Sequence, residues 1–121
     1  MDKIIDVPIF LEFYGKLLTE RQVEIISLYS DEDYSLTEIA DNLKISRQGV
    51  YDAVKSIISA LEDYENKIGL VRRYWLRKGI GENLHDAITN ISATEIDSPN
   101  RLMIEQELER IREGINKLIE V

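Results

Sequence analysis

Between Leu36 and Lys55 the chain encodes two helices joined by a turn too short to let them part. Leu36-Thr-Glu-Ile-Ala-Asp-Asn-Leu43 puts Ile39 and Leu43 on one helical face. Ser35 with Glu38 three residues on forms a capping box that opens this helix. Lys44-Ile45 leaves room only for a tight turn before Ser46, which can cap a second helix starting at Arg47. Val50 and Val54 of that helix answer Ile39 and Leu43. Ala40 falls where the two helices cross, and a bulky side chain there would push them apart. Ile45 is expected to plug the turn. Lys44 stands where glycine is usual, so the turn either holds a strained residue or bends differently. The pattern is that of a helix-turn-helix.

The remaining chain also reads as helix, with only 6 Gly and 2 Pro among 121 residues. Pro8 suits a first helical position, and Val7, Phe10, Leu11, Tyr14 and Leu17 form one apolar face. Thr19-Glu-Arg-Gln22 is a further capping box, opening a helix to about Glu32 with Val23, Ile26 and Tyr29 inward. The helix that starts at Arg47 continues along Val50, Ala53, Val54, Ile57, Leu61 and Tyr64 until Gly69. A segment Leu70–Lys78 follows, Gly79-Ile80-Gly81 predicts a break, and Leu84, Ala87, Ile88 and Ile91 predict another helix. Ser92–Pro99 reads as a linker or long turn. From about Asn100 to Glu120, Ile104, Leu108, Ile111, Ile115 and Leu118 alternate spacings of four and three, a heptad seam of about two repeats. The expected architecture is all-α: a helix-turn-helix domain over residues 1–78, without a wing, and a helical extension over 79–121.

The exposed start of the second helix of the motif has chemistry suited to DNA. Ser46 lies beside the backbone there. Arg47 can fork onto guanine O6/N7 or a phosphate, Gln48 can pair adenine N6/N7, and Tyr51 can reach a phosphate or a thymine methyl. Lys55 adds a cation one turn on. Asp52 is the discordant residue, since it repels phosphate and accepts only from cytosine N4. The same motif also serves as a scaffold for protein contacts.

Leu17-Leu18-Thr-Glu-Arg-Gln22, Leu28-Tyr29, Tyr34-Ser-Leu-Thr-Glu-Ile-Ala40 and Ile45-Ser-Arg-Gln-Gly-Val-Tyr-Asp-Ala-Val54 together resemble region 4 of sigma factors. With the leading Phe10–Tyr14 segment and the tail, the chain resembles more closely the YlxM-like family of small bacterial helix-turn-helix proteins, over about Val7 to Lys78. The resemblance implies that Arg47, Gln48, Tyr51 and Lys55 occupy the positions that face the major groove in sigma region 4. Lys44 and Asp52 depart from the most DNA-like versions of the motif. The family's genes lie beside those for the signal recognition particle GTPase and its receptor, which implies a regulatory or accessory role in that pathway.

Charge narrows the means of binding. Fifteen Lys and Arg stand against 23 Asp and Glu, a net charge of −8. A protein this acidic does not attract nucleic acid or anionic membrane through bulk charge, so such contact has to be local. Residues 64–78 are the basic exception: Lys67, Arg72, Arg73, Arg77 and Lys78 against Glu65. Within them, Arg72-Arg-Tyr-Trp-Leu-Arg-Lys78 interleaves cations with Tyr74 and Trp75, a pattern that can grip phosphates or stack on unpaired RNA bases. The competing reading buries Val71, Tyr74 and Trp75 and leaves the cations as a solvated face.

Enzymatic chemistry finds little to work with. There is no Cys, which excludes disulfides, thiolate zinc sites, iron–sulfur clusters and cysteine catalysis. His85, the only His, flanked by Glu82 and Asp86, reads as a surface residue without a second ligand. Gly79-Ile-Gly81 lacks the Lys and preceding strand of a phosphate loop. No cofactor is expected. No targeting segment is visible, and no stretch approaches the ~20 apolar residues that span a bilayer, so the expected compartment is the cytoplasm. The favoured function is a non-enzymatic regulator binding DNA, or RNA of the signal recognition particle. The alternative is a protein–protein adaptor of that particle or its GTPase. The heptad seam is expected to make the chain a homodimer.

Overall fold

The computed structural model describes residues 5–121, and among them every regular element is helical. The helices are α1 (Val7–Tyr14), α2 (Glu20–Ser30), α3 (Leu36–Leu43), α4 (Arg47–Ile68), α5 (Leu70–Ser92) and α6 (Arg101–Glu120). Their starts follow from side chains that satisfy otherwise orphaned N–H groups. Asp6 accepts from Ile9 N at the start of α1. Thr19 with Gln22 and Ser35 with Glu38 form complete capping boxes at α2 and α3. Ser46 Oγ accepts from Gly49 N at 2.9 Å and opens α4. Gly69, at φ 74°, closes α4 in the left-handed conformation that glycine adopts without steric cost.

The chain divides into two compact units, the first ending at Val71 and the second running Arg72–Val121. In the first, α4 is the central strut against which α1, α2 and α3 pack. Val50, Val54, Ile57, Ile58 and Leu61 form its buried stripe, and Val7, Phe10, Tyr14, Ile26 and Ile39 come from the other helices. Side chains of this kind contribute about 1.5–3 kcal/mol each on full burial. Ala40 is buried in α3 and Leu43 half-buried, as the crossing requires.

Several local expectations are corrected. Leu17 is 54% exposed, because α1 stops at Tyr14 and a 3-10 turn over Gly15–Leu17 turns this residue off the apolar face. Val23 is half-buried, and Ile25 joins Ile26 and Tyr29 in the core. Ile45 is 37% exposed and so fills the turn only in part; its N–H bonds Ala40 O at 3.1 Å. Lys44 takes the left-handed conformation itself, at φ 57° and ψ 43°. Gly79-Ile80-Gly81 does not break the chain, and α5 runs through it from Leu70 to Ser92. Glycine costs a helix roughly 1 kcal/mol but, unlike proline, keeps the N–H that sustains the ladder.

In the second unit α6 lies antiparallel to α5. Arg77 Nη2 donates to Val121 O at 3.3 Å, Arg110 bonds the Asn83 side chain, and Gly114 sits against Leu84 and Ile80. A Cβ at Gly114 would come within 2.7 Å of Leu84 Cδ2, so the Leu84 side chain would have to shift to admit one. The connection between the helices is the polar turn of Ser92–Pro99, where Asp97 caps a 3-10 turn by accepting from Asn100 N. The seam of α6 is divided: Ile104, Ile111 and Leu118 are half-buried, whereas Leu108 and Ile115 are exposed.

Candidate nucleic-acid interface

The start of α4 gathers five of the singled-out residues on one unit. Arg47, Gln48, Tyr51 and Lys55 fall within about 100° of the helix circumference, and Ser46 stands at its N-terminus. Arg47, Gln48 and Lys55 are exposed and Tyr51 half-buried. The buried stripe of α4 adjoins this arc, so Tyr51 at its inner edge is half-buried while Gln48 and Lys55, farther round, are exposed. Arg47, Gln48 and Tyr51 line a shallow depression with Leu36, from the first turn of α3. Leu36 contributes to this face because α3 packs across α4; in the sequence its place in the capping box marks it only as the opening of α3.

Electrostatics at this face are mixed. The helix N-terminus presents the positive end of its dipole and unpaired N–H groups, which favour an anion. Gln48 Nε2, however, donates to Asp52 Oδ1 at 3.0 Å across one turn. The side chain best placed to read adenine is therefore held by a carboxylate, and that carboxylate stands beside the surface a phosphate would approach.

The basic segment lies in the second unit, at the beginning of its part of α5. Arg72, Arg77 and Lys78 are exposed and Arg73 is half-buried. Trp75 is 47% exposed and Tyr74 half-buried, so the reading that buries both aromatics is corrected; of the three, Val71 alone is core. Only about 40° of helix separates Trp75 from Val71, so the indole lies on the same side of α5 but one turn beyond the core that Val71 reaches. Its ring meets Tyr74 edge-on at 5.0 Å, and Lys78 Nζ lies 5.3 Å from its centroid. Arg77 is engaged with the backbone of Val121.

No group of three or more His, Asp or Glu that could hold a metal occurs among the described residues, and His85 lies exposed with Nδ1 3.9 Å from Asp86. None of the described helices is long and apolar enough to cross a membrane.

Comparison with known proteins places this geometry in context. Residues 1–100 match the family model described as "Putative helix-turn-helix protein, YlxM / p13 like". A UPF0122 protein of Acetivibrio thermocellus is 41% identical over 113 residues, covering 93% of this chain and 97% of the relative. One from a Thermoanaerobacter species is 41% identical over 115 residues, 95% of this chain and 97% of its own length. One from Lactococcus lactis is 48% identical over 73 residues, 60% of this chain and 66% of that protein.

Proposed function

Because the chain belongs to the YlxM / p13-like family of helix-turn-helix proteins, we propose that it is a non-enzymatic regulator that binds nucleic acid through the exposed start of α4. The observation that carries this reading is the arc of Arg47, Gln48, Tyr51 and Lys55, turned to solvent behind the Ser46 cap. Such an arc is what the second helix of the motif offers to the major groove. Arg47 forks onto guanine or phosphate, Gln48 pairs adenine, and Tyr51 and Lys55 contact the backbone. Arg72, Arg73, Arg77 and Lys78 supply a second, sequence-independent attraction to phosphate. RNA of the signal recognition particle is the other nucleic acid to test, on the gene neighbourhood implied by the family resemblance.

A second reading is favoured by one contact. The Gln48–Asp52 hydrogen bond and the net charge of −8 suit an adaptor that keeps the scaffold and binds a protein of the signal recognition particle pathway instead. Titrating the pure protein with random duplex DNA and with signal recognition particle RNA, each across a salt series, separates the two. The regulator binds at low salt, weakens with a slope set by a few neutralised phosphates, and loses about 1–3 kcal/mol in Arg47→Ala. The adaptor shows negligible affinity for either nucleic acid even at low salt and keeps its protein partner when Arg47 is removed.

A further inference from the structure

Trp75 is 47% exposed, on a side of α5 that α6 leaves open. Helical spacing puts it about 140° from Ile80 and about 180° from Leu84, the two α5 side chains that meet Gly114 of α6. What surrounds this indole is not apolar. Arg72 and Lys78, three residues to either side, flank it about 60° away on the helix circumference. The run Arg72–Lys78 holds four cations and no acid. Lys78 Nζ stands 5.3 Å from the ring centroid, and Tyr74 meets the ring edge-on.

One position keeps the ring accessible. A helical side chain lies back over the turn before its own Cα, so residue 79 is the one that would cover Trp75 from the C-terminal side. That residue is glycine, and a Cβ there would meet nothing within 4 Å. Packing does not require this glycine, and helix propensity disfavours it. The cationic stretch is also short. Glu82 and Asp86 return on the same side of the helix two and three turns beyond Trp75, so the positive surface around the ring spans about 9 Å, from Arg72 to Lys78.

A flat π face between cations fits an unpaired base carried on a phosphate backbone. The base stacks on the indole while its neighbouring phosphates meet Arg72 and Lys78. A duplex keeps its bases stacked on one another and offers this ring nothing. A membrane surface would need the apolar face to continue along the helix, and the positions that follow Trp75 on this side are Gly79, Glu82 and Asp86. We propose that Trp75 is a stacking platform for single-stranded nucleic acid, a short site separate from the α4 arc. The platform rests on the nucleic-acid reading of the basic segment and uses no residue of α4.

Trp75 is the only Trp of the chain, so its emission reports the site directly. At low salt an oligothymidylate strand, which forms no duplex with itself, is expected to quench this emission. Duplex DNA of the same length binds, on the α4 reading, without quenching it. Anisotropy of a labelled strand then measures affinity. Trp75→Leu, which keeps an apolar side chain but no π face, weakens strand binding about tenfold, and Trp75→Phe keeps most of it. Gly79→Gln lays a side chain over the ring and weakens strand binding with unchanged helical circular dichroism, since its Cβ finds open space. Strand binding without quenching, or full affinity in Trp75→Leu, overturns the platform; if Trp75→Leu loses its helicity, full affinity in Gly79→Gln does so instead. A strand that fails to bind at low salt also overturns it, and duplex binding in the same buffer then leaves the α4 reading standing alone. Quenching by the strand where the duplex fails to bind supports the platform and counts against α4. Emission shifted by phosphatidylglycerol vesicles but not by the strand overturns it in favour of a membrane surface.

Discussion

The hydroxyl of Tyr14 donates to Glu65 Oε1 at 2.6 Å, tying the end of α1 to the last turns of α4 across 51 residues of sequence. The same hydroxyl accepts from Leu70 N at 3.0 Å, and Glu65 Oε1 accepts from Val71 N at 2.9 Å. These two side chains thus satisfy the first N–H groups of α5, a role that the preceding Gly69, having no side chain, cannot fill. The strut that carries the recognition arc is braced at its far end by this network, while Ile57, Ile58 and Leu61 hold its middle.

Tyr14→Phe keeps the ring in the core and removes the hydroxyl, leaving Leu70 N–H without this acceptor and Glu65 without this donor. The expected cost is about 1–3 kcal/mol in chemical denaturation, with helical content retained at room temperature. Burial, and then the hydrogen bond to Glu65, push the Tyr14 phenol above its ordinary value of 10. The folded state therefore holds this proton more tightly than the unfolded state does. That stability is fully present below pH 10 and is lost as pH rises through the elevated folded value. Wild type should lose stability over this alkaline window more steeply than Tyr14→Phe. Equal slopes for the two proteins would mean that the phenol is not perturbed by folding.

Lys44→Gly is expected to stabilise the protein. Lys44 holds φ 57° and ψ 43° at the C-cap of α3, where its N–H bonds Ala40 O. A left-handed residue other than glycine carries roughly 1–2 kcal/mol of steric cost, partly offset in glycine by a greater loss of chain entropy. A net gain of about 0.5–1 kcal/mol should appear as a higher thermal midpoint. A lowered midpoint would show that the lysine stem contributes packing that outweighs its backbone cost.

This turn also marks how far the sequence could be read. Its place was legible because Ser35, Ser46 and the Ile39/Leu43 and Val50/Val54 pairs are local signals with one helical solution. Its conformation was not, since a lysine at that position is compatible with strain or with a different bend. Gly79 and Gly81 misled for the opposite reason: each lowers helix propensity, but nothing in α5 removes a ladder hydrogen bond there. The α4 arc could be assigned from helical spacing alone. The Gln48–Asp52 contact depends on rotamers, and the Tyr14–Glu65 bond on chain ends brought together only by folding.

Asp52→Asn tests whether the Gln48–Asp52 contact restrains the recognition arc. The carboxylate accepts from Gln48 Nε2 at 3.0 Å and places a negative charge one turn from Gln48 and next to Tyr51 in the chain. Asparagine keeps the shape and one acceptor oxygen, so the fold should be unaffected; Asp52 is exposed and caps nothing. On the nucleic-acid reading, loss of the charge strengthens binding to duplex DNA of any sequence, by about three- to tenfold at low salt, with a smaller gain at high salt as screening grows. Asp52→Ala goes further, because it also frees the Gln48 amide to pair with a base edge. It should then sharpen preference between sequences, and Gln48→Ala placed on top should cancel that sharpening while keeping the general gain. Fluorescence anisotropy with a small panel of duplexes, each at two salt concentrations, reads both effects. If neither substitution changes affinity where wild type binds, the start of α4 is not the surface that meets nucleic acid.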